Sequence, residues 1–131
     1  VDYIQTLIIN IKFIIMKKII LVLVLVMTVS ATFGQNKWHV GQNDKFVAAA
    51  ATEYNLDEDQ QETLRESRMD MVKTYISSNQ DFKAGKITKE EKKEITGKSS
   101  KAFNSTMIKL TGKSYKELKP FLDKMREALK K

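Results

Sequence analysis

The chain has 131 residues, no cysteine, one histidine and a formal net charge of +7. The absence of cysteine excludes disulfides, cysteine-based metal sites and thiol catalysis, so packing alone must stabilise the fold. A chain of this length favours one small domain, and we expect a homodimer to be within its reach.

Residues 16–34 have the layout of a bacterial secretory signal peptide. Lys17 and Lys18 form a positive start, and a run of residues 19–29 follows that is apolar apart from Thr28. This run is too short to cross a bilayer comfortably, and small residues come after it. We therefore expect export to the periplasm or secretion, with cleavage after Ala31 or after Gly34. An uncleaved membrane anchor is the alternative.

The segment before this signal, residues 1–15, is rich in isoleucine and is unusual as the start of a signal peptide. We expect it to be a non-native upstream extension and Met16 to be the true start. The predicted organisation is then a signal peptide at 16–34, a flexible lead-in at 35–43 and a single all-helical domain at 44–131.

Charge is unevenly distributed along that domain. Residues 44–70 hold eight acidic and three basic side chains, a net charge of −5, whereas residues 71–131 hold sixteen basic and seven acidic ones, a net charge of +9. Such polarity favours contact between the two halves, between two copies of the chain, or with an acidic partner. Nucleic acid is excluded as a partner on the expectation of export.

The apolar spacing is helical throughout, and no run of alternating residues predicts a strand. We expect an all-α fold of about four helices of the helical-hairpin type. The first helix should run from about Asp44 to Tyr54, with Asn43 or Asp44 as its N-cap. Its predicted inward face consists of Phe46, Val47, Ala50 and Tyr54.

Three capping boxes predict the starts of the later helices. In each, a short polar side chain caps the helix and an acid or amide three positions later reaches back. The pairs are Asp57 with Gln60, after Leu56; Thr88 with Glu91; and Ser114 with Glu117. Gly85 and Gly112 are the predicted ends of the second and third helices.

The predicted inward stripes follow three-and-four spacing. The second helix contributes Leu64, Arg68, Met71, Val72, Tyr75, Asn79 and Phe82, and the third contributes Ile95, Ala102, Phe103, Thr106 and Leu110. Gly97 should mark a bend or a close approach in the third helix. Pro120 either kinks the last helix or stands at its first position.

The residues give little support for catalysis or metal binding. Gly85 to Glu91 matches the second half of an EF-hand loop, but Gln80, Phe82 and Ala84 occupy three positions where calcium needs oxygen ligands. A zinc site would need more ligands than the single histidine, His39, in a chain without cysteine, and no serine has a motif that would activate it. We predict no enzyme activity, no cofactor and no small-molecule substrate.

The stretch Leu56-Asp57-Glu58-Asp59-Gln60 resembles the LTxxQ motif of the Spy/CpxP family of periplasmic helical proteins. The resemblance covers about Ala49 to Lys130. Asp57 replaces the threonine of the motif, and a second copy, Leu110 to Ser114, ends in serine where glutamine is expected. The resemblance implies a curved helical dimer that binds unfolded envelope proteins without ATP, or a related stress sensor.

A face that is partly apolar and partly basic could hold such clients, because methionines adapt in shape while arginines meet acidic segments. The predicted client-binding or partner-binding residues are Arg65, Arg68, Met69, Ile76, Met107 and Ile108. Core packing is the alternative for each methionine. A non-enzymatic regulatory protein that docks on one specific envelope partner is the alternative function. A metal-responsive role, which the resemblance also suggests, is disfavoured by the single histidine.

Overall fold

The structure, a computed structural model, describes the backbone of residues 2–131 and the side chains of residues 2–18 and 37–131. Its helices are α1 (Asp2–Tyr54), α2 (Glu58–Lys83), α3 (Lys89–Thr111) and α4 (Tyr115–Ala128). Residues 2–131 contain no strand, so the prediction of an all-α chain is confirmed.

The chain divides into two compact units, Val1–Trp38 and His39–Lys131. In the first unit the side chains of residues 2–18 are exposed, and the Lys17 ammonium lies 4.8 Å from the centre of the Phe13 ring. The apolar run 19–29 and both candidate cleavage sites lie outside the described side chains. Among the side chains that are described, no helix combines the length and apolar character that crossing a bilayer requires.

The predicted start of the first helix is wrong. Helix α1 already includes residues 35–43, so neither Asn43 nor Asp44 is an N-cap. The physical reason lies in the Asn43 side chain, which is fully buried and donates a hydrogen bond to the backbone carbonyl of Arg65 in α2 at 2.8 Å. An asparagine with that distant partner looks, in sequence, the same as a capping asparagine.

All three predicted capping boxes are present. In each, both the bond from the helix backbone to the cap and the bond from the cap backbone to the third helical side chain are made, at 2.7–3.3 Å. The caps are Asp57 for α2, Thr88 for α3 and Ser114 for α4. Each box satisfies backbone donors that a helix N-terminus would otherwise leave without partners.

The helix ends use left-handed residues. Gly85 has φ +71°, and its N–H bonds the Phe82 carbonyl while the N–H of Lys86 bonds the Asp81 carbonyl, which is the Schellman arrangement. Gly112 ends α3 with φ +67°, as predicted. Asn55 performs the same task after α1 with φ +52°, and the sequence interpretation had not assigned it that role.

The second unit has one buried apolar cluster, which we call the packed end. Its centre is Phe46, whose ring meets Phe103 and Phe121 edge-on with centroids 5.7 and 5.6 Å apart. Aromatic pairs of this geometry add to the stabilisation from area burial. The packed end consists of Phe46, Val47, Ala50, Leu56, Leu64, Phe103, Met107, Leu118, Phe121 and Met125.

Helices α2 and α3 extend antiparallel beyond the packed end and form what we call the arm, residues 72–100. Among the arm's residues only Ser78 is buried. The predicted stripe residues Tyr75, Phe82 and Ile95 are 41%, 39% and 39% exposed, so the stripe is only partly covered along the arm. The hydrophobic stripes continue along both helices, but the buried cluster does not.

Two predictions about special residues are decided by the structure. Helix α4 begins at Tyr115, so Pro120 lies inside it and is not its first residue. Because proline has no N–H, the carbonyl of Lys116 lacks an intrahelical partner, and both residues are exposed to water. No neighbouring segment approaches α3 closely at Gly97, since a Cβ built there would meet no atom within 4 Å.

Candidate functional site

The predicted binding residues do not all lie on one surface. Arg65 and Met69 line one open groove between the last part of α1 and helix α2. Ile76 follows Met69 by two helical turns and is half-buried, whereas Arg68 turns toward α1. Met107 and Ile108 lie on α3. The structure therefore brings together only part of the predicted set.

The groove has a volume of about 420 Å³ and mixed chemical character. Val40, which is 45% exposed, and Met69 give it an apolar floor. Its charged side chains have both signs: Asp44, Glu66 and Asp70 are acidic, and Arg65 and Lys73 are basic. Acidic side chains therefore outnumber basic ones in the groove around Met69.

Arg65 is held in place by carboxylates on both helices. Its Nε donates to Asp44 Oδ1 at 3.1 Å, and another of its nitrogens pairs with Glu62 one turn earlier in α2. The Asp44 hydrogen bond raises the pKa of the Arg65 guanidinium above its ordinary value. Exposed pairs of this kind add little stability, but they fix the direction of a long side chain. Arg65 therefore forms an ordered wall of the groove.

Arg68 contacts α1 and does not line the groove. Its guanidinium lies 4.7 Å from the centre of the Phe46 ring and donates to Asn43 Oδ1 at 3.2 Å. Burial lowers the pKa of this guanidinium below its ordinary value, and no carboxylate within the described residues pairs with it. Arg68 therefore connects α2 to α1, and we expect its replacement to lower the stability of the fold before it affects binding.

Of the two α3 residues, only one is accessible. Met107 is fully buried in the packed end, so it cannot contact a client in this fold, and the alternative of core packing applies. Ile108 is 38% exposed. The difference follows from helix geometry, because successive residues point about 100° apart and only one of the pair can face the core.

Sequence interpretation missed three residues of this region. Asn43 connects the two helices, because it bonds the Arg65 carbonyl and the Arg68 guanidinium at once. Val40 and Lys73 complete the groove. A signal for Lys73 was present, since it follows Met69 by four residues on the same face of α2. Val40 had no such signal, because its segment was predicted to be non-helical.

The described part of the chain shows no candidate metal centre. No group of three or more histidine, cysteine, aspartate or glutamate side chains there is placed to hold a metal ion. The segment that partly matched an EF-hand is the Gly85 turn and the Thr88 capping box.

Comparison of the chain with protein-family models, with curated proteins and with solved structures finds no match. The resemblance to the Spy/CpxP family therefore stays a prediction from the motif.

Proposed function

We propose that the protein is a non-enzymatic binding protein of the bacterial envelope that holds unfolded proteins without ATP. The observation that supports this best is the groove between α1 and α2. It offers an adaptable thioether and an aliphatic side chain, Met69 and Val40, surrounded by charges of both signs. Apolar contacts of this small size give weak, exchangeable binding, and flexible methionines accept side chains of different shapes.

The charges of the groove suit clients of mixed composition. Arg65 and Lys73 can meet acidic residues of a client, while Glu66 and Asp70 can meet basic ones. A groove that carries both signs does not select strongly for net charge, which is useful to a protein that holds many sequences. It is equally able to recognise one partner with a matching charge pattern, and that is the alternative function.

Light scattering separates the two functions. The protein is mixed in equal molar amount with two unrelated unfolding proteins, without ATP, and the rate of aggregation is followed. Slower aggregation of both supports the holding function. No effect on either moves the proposal to docking on one specific envelope partner.

Variants locate the binding face. Met69→Ser and Lys73→Glu should reduce suppression of aggregation severalfold, because both side chains line the groove. Lys124→Glu is the matched control, since Lys124 is exposed on α4 away from the groove and makes the same change of charge. Equal suppression by Lys73→Glu and Lys124→Glu would show that the groove is not the binding site.

A further inference from the structure

The arm and the packed end are stabilised by different kinds of contact. Every residue of the buried apolar cluster lies outside residues 72–100. Inside the arm, most of the half-buried residues are small or polar, and the one buried side chain, Ser78, bonds to the Tyr75 carbonyl of its own helix at 3.2 Å. Apolar burial is the main favourable contribution to folding, so the arm lacks what stabilises the rest of the unit.

Two polar contacts join α2 to α3 within the arm. The Tyr75 hydroxyl bonds the Ser100 hydroxyl, and the Lys92 ammonium donates to Asn79 Oδ1 at 2.9 Å. Lys92 also lies 5.0 Å from the centre of the Phe82 ring, which is itself 39% exposed. These groups are accessible to water, and water replaces such hydrogen bonds at little net cost when they break.

The two helical segments of the arm have little stability as helices on their own. Each contributes about twelve residues, too few to form a stable helix alone in water, so each depends on its continuation into the packed end and on contact with the other segment. Gly97 lies inside the segment from α3, where a glycine weakens a helix. Separation of the two segments would expose few buried groups, and it would leave the Phe46 cluster intact.

We infer that the arm opens and closes as an independent unit while the packed end stays folded. Opening breaks the Tyr75–Ser100 and Asn79–Lys92 hydrogen bonds, which are weak because water can replace them. The short connection around Gly85 keeps the two helices joined at the end of the arm, so opening separates them between that turn and the packed end. Segments of low local stability are those from which proteins draw their moving parts. The inference does not depend on the proposed function, because no client takes part in it.

Native-state hydrogen exchange tests this directly on the full chain. After correction for intrinsic rates, backbone amides of the arm should exchange at least about tenfold faster than those near Val47, Leu64 and Met107, and low urea should accelerate them less. Equal protection and equal urea dependence in the two regions would overturn the inference, because the unit would then unfold in one step.

Two variants sharpen the test. Tyr75→Phe removes the hydroxyl that bonds Ser100 and should accelerate amide exchange in the arm about three- to fivefold, without changing exchange in the packed end. Gly97→Ala should slow exchange in the arm by a similar factor, since a Cβ there meets no atom within 4 Å. Tyr115→Phe is the control, because Tyr115 is exposed on α4. Arm exchange that responds to neither arm variant, or equally to Tyr115→Phe, would count against independent opening.

Discussion

Replacement of Asn43 by alanine should destabilise the protein far more than its polar character suggests. Its Oδ1 accepts from the Arg68 guanidinium and its Nδ2 donates to the Arg65 carbonyl, and the side chain is 0% exposed. A hydrogen bond to a charged group contributes about 1.5–3 kcal/mol and a neutral one about 1 kcal/mol. Alanine recovers about 0.5 kcal/mol through its higher helix propensity. The expected net loss in the free energy of unfolding is about 2.5 kcal/mol.

Urea denaturation followed by circular dichroism at 222 nm measures this loss, and thermal unfolding should show a fall in Tm of about 10–20 °C. Gln80→Ala is the control, because Gln80 is exposed on the same helix as Arg68. A double-mutant cycle with Arg68→Met should give a coupling energy of about 1–2 kcal/mol. A loss below about 1 kcal/mol for Asn43→Ala, or no coupling, would refute the proposed connection between α1 and α2.

Three further predictions concern helix ends and pH. Asn55→Ala should lower the free energy of unfolding by about 1 kcal/mol in urea titration. A φ of +52° is costly for alanine, which lacks the short polar side chain that lets asparagine adopt the left-handed conformation. Pro120→Ala should raise it by about 1 kcal/mol or more in the same assay, because it restores the bond to the Lys116 carbonyl. Hydrogen bonds from Ser114 hold the pKa of Glu117 below its ordinary value of 4.5. The stability that this carboxylate adds is therefore present above about pH 4.5 and lost as the pH falls through its lower folded-state pKa, so Glu117→Gln should flatten the fall of the urea midpoint between about pH 5 and pH 3.

Local features of the fold could be predicted from the sequence because their causes are local. The capping boxes at Asp57, Thr88 and Ser114 each need only two side chains three residues apart, and all three are present. Gly85 and Gly112 end their helices for an equally local reason, the ease with which glycine adopts positive φ.

Features that depend on distant partners could not be predicted. Asn43 was interpreted as a helix cap, because nothing nearby in sequence indicates that its partners lie 22 and 25 residues away. Periodicity placed Tyr75 and Phe82 on the inner stripe, which is the correct side of α2 for contact with α3. Whether further helices cover that side is a property of the tertiary fold, and along the arm the stripe remains partly exposed.

The position of Arg68 changes how the binding face must be tested. Arg68 is one of the predicted client-binding residues, but replacing it with glutamate would place a carboxylate over the electron-rich face of Phe46 and opposite the Asn43 oxygen. Both contacts would become repulsive in a partly buried site, so lost binding would follow from lost folding. Met69 and Lys73 line the groove with no such interhelical bond among the contacts described. A variant at either position that keeps its urea midpoint yet loses suppression of aggregation would identify the groove as the binding site.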